Sequence, residues 1–140
     1  MNENERAMYS GLAMCRNTEV TQRWSRSQFF FLIHSAALSF VTTLDQPEFG
    51  PLLINSLAGV FLGFFWLAVN MRTNQWIVYW QSRLEAFELL EPTPAEIPIF
   101  SGLAYQRVAG RLITFHRIIA TLAGFFILIW VDIIVQAFLL

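Results

Sequence analysis

The sequence predicts an all-helical membrane protein with three transmembrane helices and additional amphipathic helices on the cytoplasmic side. One observation is charge placement: all nine cationic side chains are Arg, confined to Arg6–Arg26 and Arg72–Arg117. Another is the set of apolar runs Phe29–Leu44, Pro51–Val69 and Ile118–Leu140, which separate or follow those stretches. About 20 helical residues cover a hydrocarbon core of about 30 Å, so three crossings fit. A third is composition: 56% hydrophobic and 14% charged residues leave too little polar surface to cover a soluble domain.

Orientation follows from the connections. The turn Asp45-Gln-Pro-Glu-Phe-Gly50 carries two carboxylates and no cation, while the Arg-rich stretches flank the opposite helix ends. The positive-inside rule therefore puts the amino terminus in the cytoplasm and Leu140 outside. The first 27 residues are polar and no Ala-x-Ala-like exit follows the first apolar run, so no cleaved signal peptide is expected. Cys15 has no partner for a disulfide within the chain. A net charge of −1 argues against nucleic acid as a specific partner, and contact with anionic lipid head groups accounts for the Arg clusters.

The whole chain, 1–140, reads as a single membrane domain. Residues 4–26 form a proline-free amphipathic helix with Met8, Leu12, Cys15, Val20 and Trp24 as its apolar side, running into a first span at 27–44. Trp24 and Arg26 anchor the inner boundary of that short span. Pro51 suits the first turn of the second span, 51–70, because the donor it lacks is unused there. That helix continues through Asn70-Met-Arg72-Thr-Asn-Gln into a cytoplasmic helix at 72–91, where Trp76, Trp80, Leu84 and Phe87 form a stripe. Such an aromatic stripe packs on the N-terminal helix, on a neighbouring subunit or along the membrane interface. Pro92, Pro94 and Pro98 make 92–100 an extended connector, after which 101–117 is helical and leads into the third span, 118–140.

Polar and small residues inside the spans mark the faces turned away from lipid. Gln28, Ser35, Ser39 and Thr42 lie near one side of the first span, with His34 beside it. The second carries Asn55, Gly59, Gly63 and Asn70, including the Gly-x-x-x-Gly spacing that permits close helix approach. The third carries Ala120, Gly124, Asp132 and Gln136. Gly59, Gly63 and Gly124 are thus candidates for helix packing. Asp132, Gln136, His34 and Asn55 are candidates for an intramembrane polar site or pore lining. Asp132 lies roughly 21 Å beyond Ile118 along a helix, in the outer part of the bilayer. A carboxylate there costs up to about 3 kcal/mol if it faces lipid, so protein or water must receive it. A ring of such carboxylates in an oligomer would favour cations.

Arg72, Arg107, Arg111, His116 and Arg117 form a basic belt at the inner membrane surface. Arg111 and His116 also have the Arg-x4-His spacing of HEPN-type ribonucleases, but five helical positions turn about 140°, so the two would not share a face. No phosphate-binding glycine loop, zinc ligand set or nucleophile triad is present, and no enzyme activity, metal or cofactor is expected.

Tyr9, Arg23-Trp24, Phe29-Phe-Phe-Leu-Ile-His-Ser35, Trp66 and Tyr79-Trp80-x-x-Arg83-Leu84-x-x-Phe87-Glu88 together resemble the RipA-type small bacterial membrane proteins over nearly the whole chain. His34 stands where that pattern has Asn. The resemblance implies a bacterial inner-membrane protein that assembles with itself as a ring, octameric in the family, with a central pore. A pore or channel-like assembly is the leading functional expectation. The alternatives are a non-conducting scaffold or accessory subunit docking a cytoplasmic protein partner through Trp76–Leu90, and a membrane-tethered ribonuclease using Arg111 and His116.

Overall fold

The computed structural model describes residues 3–43, 48–90 and 115–139, and these are α-helical almost throughout. The helices are α1 (Glu3–Thr42), α2 (Phe49–Leu90) and α3 (Phe115–Leu139). Each of the first two is a single uninterrupted helix, because no proline falls inside its polar-to-apolar transition. The connector expected at 92–100 and most of the helix expected at 101–117 lie outside the described residues. Residues 115–117 are the first of α3.

The end of α1 and the start of α2 carry local bonds. The Thr42 and Thr43 hydroxyls donate to the carbonyls of Ser39 and Phe40 at 3.0 and 2.8 Å, adding to the Thr43 amide that both carbonyls accept at 3.2 Å. Pro51 sits in the first turn of α2, and the Leu52 amide donates to the Glu48 carbonyl at 3.1 Å.

Two compact units divide the described residues. One contains 3–23 of α1 and 72–90 of α2; the other contains 24–43, 48–71 and α3.

In the first unit, Tyr9 meets Phe87 and Glu88, while Arg23 meets Asn74, so the two segments run antiparallel. The inward positions on α2 are Thr73, Ile77 and Leu84, with Trp80 and Phe87 half-buried and Trp76 exposed. On α1 the inward positions are Tyr9, Leu12, Arg16, Glu19 and Arg23, alternating by three and four. This differs from the apolar side expected of the helix: Met8, Cys15, Val20 and Trp24 are exposed and only Leu12 turns inward. A seam of two helices needs a 3.5-residue period, which the apolar positions do not keep and the polar ones do. Arg23 is buried, and its guanidinium donates to the side-chain amide oxygen of Asn74, Oδ1, at 3.3 Å. Burial, and then the charge of Arg16, lower its pKa from the usual arginine value.

Tyr9 donates to Glu88 at 2.8 Å. Its phenol is pushed up to about 12 by burial, by that hydrogen bond and by the Glu88 charge. A pKa raised in the folded state gives stability that is fully present below the unfolded value of 10 and lost as pH rises toward 12. Tyr9→Phe is therefore expected to cost about 1 kcal/mol at neutral pH and to flatten the alkaline loss of structure. Tyrosinate absorbance combined with helicity during an alkaline titration checks this.

In the second unit the three segments alternate in direction. Contacts of Phe49 with Phe138 and of Asn70 with the His116 carbonyl make α2 and α3 antiparallel. Trp24 with Phe115, and His34 with Trp130, make α1 and α3 parallel. Buried positions on α2 are Leu52, Ser56, Gly59, Gly63, Trp66 and Asn70, and on α3 Ile119, Ala123, Phe126, Trp130 and Ala137. Both sets keep the alternation of left-handed helix packing. The core is Phe30, Trp66, Ile119, Ala123 and Phe126.

Among the described residues, α2 up to Leu89 and α3 are long and apolar enough to cross a membrane. Only 28% and 22% of their most apolar stretches are buried, whereas the core helix of a soluble protein is mostly buried. Phe29, Phe31, Leu32 and Phe40 of α1 and Phe61, Phe64, Leu128 and Phe138 of the other helices lie on the outside of this unit. Chains in water rarely leave so much contiguous apolar surface uncovered.

Candidate functional site: a polar layer on an apolar helix trio

The polar residues of the second unit fall into a sealed group and an open group. In the sealed group, His34 is 1% exposed and Trp130 is 0% exposed. The Trp130 indole donates to His34 Nδ1 at 3.0 Å. An indole nitrogen can only donate, so His34 accepts at Nδ1 and is the neutral ring carrying its hydrogen on Nε2. The imidazole is stacked on Phe126, with centroids 4.8 Å apart, and faces Trp66 at 5.9 Å. His34 Nε2 and Trp66 Nε1 are buried without a hydrogen-bond partner. His34, a candidate for an intramembrane polar site, sits in an aromatic cage enclosed by all three helices.

Gly59 and Gly63 belong to the same packing. A Cβ on Gly59 would overlap the Trp130 ring, and one on Gly63 would overlap Ile127. The bulkiest residue of α3 therefore rests on bare backbone of α2. Ser56, fully buried one turn earlier, returns its hydroxyl to the Leu52 carbonyl at 2.8 Å. Such back-bonding lets a hydroxyl lie in an apolar seam without a partner on another helix. Asn70 is 2% exposed and donates to the His116 carbonyl at 3.1 Å, tying the start of α3 to α2.

In the open group are Asp132 and Gln136, both exposed on α3, where Gln136 donates to Asp132 at 2.7 Å. Asn55 is exposed on α2 and so leaves the stripe of Gly59, Gly63 and Asn70. Packing of Phe49 on Phe138, and of Gly59 against Trp130, brackets Asn55 and Asp132 into one layer across the helix trio. Gly124 has open space around it, since an added Cβ meets nothing within 4 Å.

Of the basic belt, Arg72 is exposed, bonded to Gln75 at 3.2 Å and placed over Trp76, 5.4 Å from its ring centre. Arg117 is exposed and His116 half-buried at the start of α3. Arg107 and Arg111 lie outside the described residues, so of the Arg-x4-His pair only His116 is described. Among the described residues no three potential metal ligands converge.

Sequence reasoning missed Trp130 and Ser56, and it singled out Trp66 only through the family resemblance. Trp130 and Ala123 fall seven residues apart with Ala137 seven beyond, and this heptad of one large and two small residues was the available signal.

An apolar helix trio with bare flanks, a sealed aromatic centre and an exposed polar layer around one carboxylate, Asp132, defines a polytopic α-helical membrane protein. The sequence profile of the octameric membrane protein family (8xMP) matches residues 7–139. The chain belongs to that family. No curated protein and no solved structure matches it.

Proposed function

We propose that the protein assembles as an eightfold ring of three-span subunits in a bacterial inner membrane, and that the ring encloses a cation-selective aqueous path past Asp132, Gln136 and Asn55. The exposed Asp132–Gln136 pair carries this reading. Apolar residues surround it in sequence: Trp130-Val131 precedes, Ile133-Ile134-Val135 lies between, and Ala137-Phe138 follows. Asp132 is exposed on the protomer, and lipid is a poor environment for an ionised carboxylate. Assembly turns this side toward water or a neighbouring subunit. Carboxylates repeated at one depth concentrate cations and exclude anions.

The first span is supported by the packing of 24–43 within the same unit as the other two apolar helices, with Phe29, Phe31 and Leu32 outermost. The Arg distribution supports an amino terminus in the cytoplasm and a carboxyl terminus outside. No catalytic step belongs to this function.

A second reading rests on the first unit, where Arg72 lies over Trp76 and Arg83 over Tyr79 on an exposed side of α2. Such a surface suits a scaffold that docks a cytoplasmic protein.

Reconstituted proteoliposomes distinguish the two. Asp132→Asn is expected to reduce the preference for potassium over chloride by about tenfold, equivalent to about 1.4 kcal/mol of cation stabilisation. Unchanged selectivity would remove Asp132 from the path. Intact octamers without conductance would favour the scaffold.

A further inference from the structure

The first unit carries two unlike exposed faces. On α2, Arg72, Trp76, Tyr79 and Arg83 alternate by four and three, the spacing of a helix seam, and all are exposed. Their mutual contacts make a stiff ridge. The Arg72 guanidinium lies over the Trp76 ring, Trp76 meets Tyr79 edge-on at 5.8 Å, and Arg83 lies over Tyr79, 5.3 Å from its centre. Trp, Tyr and Arg are the side chains that dominate protein interfaces. On α1 a groove of about 610 Å³ runs past Ser10, Ala13, Met14, Thr18 and Thr21. These side chains are small or flexible, and none of the described residues lining the groove is charged.

A rotation of about 100° per residue puts Thr18 and Thr21 on the side of α1 away from α2, and Arg72 and Tyr79 on a flank of α2 away from α1. One chain cannot bring ridge and groove together. The bonds of Tyr9 to Glu88 and of Arg23 to Asn74 set the register of the two segments. By that register Trp76 stands level with Thr21, Tyr79 with Thr18 and Arg83 with Met14. Rings of identical copies close through two unlike, complementary faces on each copy, with no step along the ring axis. The ridge and the groove meet these conditions where the helices stand along that axis: bulky rings face small side chains, and Arg donors face hydroxyl and amide acceptors, at one height. The chain belongs to an octameric family, so a second copy is the occupant at hand.

We propose that the α2 ridge of one copy seats in the α1 groove of the next, all around the ring, so that the first unit carries a subunit interface. Trp76 and Tyr79 fill the groove beside Thr21 and Thr18, and Arg72 and Arg83 close its two ends. The inference rests on the ring assembly above, and it gives the ridge to a second copy of this chain and not to a cytoplasmic protein.

The test places cysteine pairs in the full-length chain, in a Cys15→Ser background, and oxidises isolated membranes before denaturing electrophoresis. Thr18→Cys with Tyr79→Cys is expected to give a covalent ladder reaching the octamer, because a disulfide forms where Cα atoms approach to about 6 Å. Ser10→Cys with Ala86→Cys should do the same at the other end of the groove. The crossed pair, Ser10→Cys with Tyr79→Cys, should give no ladder, since Ser10 lies about 12 Å along α1 from Thr18. Each cysteine alone should leave monomers. An octamer, established by light scattering in detergent, that yields no ladder from either matched pair would overturn this interface and leave the ring standing. Dimers from Tyr79→Cys alone would overturn it too, since like faces would then meet. Complete maleimide labelling of Tyr79→Cys in the intact octamer would overturn it in favour of a cytoplasmic partner. A chain that is never octameric would remove ring and interface together.

Discussion

Trp130→Ala is expected to destabilise the helix trio by about 3–5 kcal/mol, the cost of truncating a large buried aromatic. Two losses add. The indole fills the space above Gly59, and its removal leaves a cavity bounded by bare backbone that neighbouring side chains reach poorly. His34 also loses the donor at Nδ1, at 3.0 Å, inside a cage from which water is excluded. In a membrane the transfer term shrinks, because lipid is as apolar as the core, but packing and hydrogen-bonding terms persist. Trp130→Phe separates them: it keeps most of the volume and drops the N–H, so it should cost only about 1 kcal/mol. Denaturation of the detergent-solubilised protein, followed by near-ultraviolet dichroism, reads both. Equal effects of Ala and Phe would mean that the hydrogen bond, and not the packing, holds α3 in place.

Gly59→Val is expected to approach the alanine variant of Trp130 in severity from the opposite helix. Even one added carbon falls inside the indole, so α2 and α3 must separate or the indole must leave its place. Overpacking of this kind costs about 1–3 kcal/mol, with larger values where backbone rather than a flexible side chain must yield. Gly124→Val is the matched control, because the space around Gly124 is open and the same substitution should leave the isolated protomer's packing untouched. Octamer yield and melting temperature in detergent measure the contrast. The double variant Gly59→Ala, Trp130→Phe should recover part of the loss of Gly59→Ala, since the smaller ring vacates the space that the methyl group takes.

Much of the fold was legible because membranes simplify the code. Uncharged apolar runs, a proline-free passage through Asn70–Gln75 and a turn rich in Pro and Gly together mark helices and their ends without reference to tertiary contacts. Rotational details were not legible. Counting apolar residues put Met8, Cys15, Val20 and Trp24 on the inner side of α1, whereas the structure turns Tyr9, Arg16, Glu19 and Arg23 there. In a seam with long polar stems, hydrogen bonds such as Tyr9 to Glu88 decide the rotation, and hydropathy does not register them. Spacings of four suggest that Asn55 shares a side with Gly59 and Gly63. The actual seam alternates by three and four, through Leu52 and Ser56, and leaves Asn55 out. The Trp130–His34 bond joins residues 96 apart, and a donor and an acceptor at that separation have no signature in a single chain.

The indole of Trp130 offers one hydrogen in one direction, and the imidazole that accepts it packs against both Phe126 and Trp66, which also touch each other. That bond works as a key in a keyway and fixes the azimuth of α3. Two residues further along an α-helix is a turn of about 200°, so the lock that points Trp130 inward also aims Asp132 outward. The carboxylate is thereby steered from a distance, and every copy of the chain presents it at the same bearing.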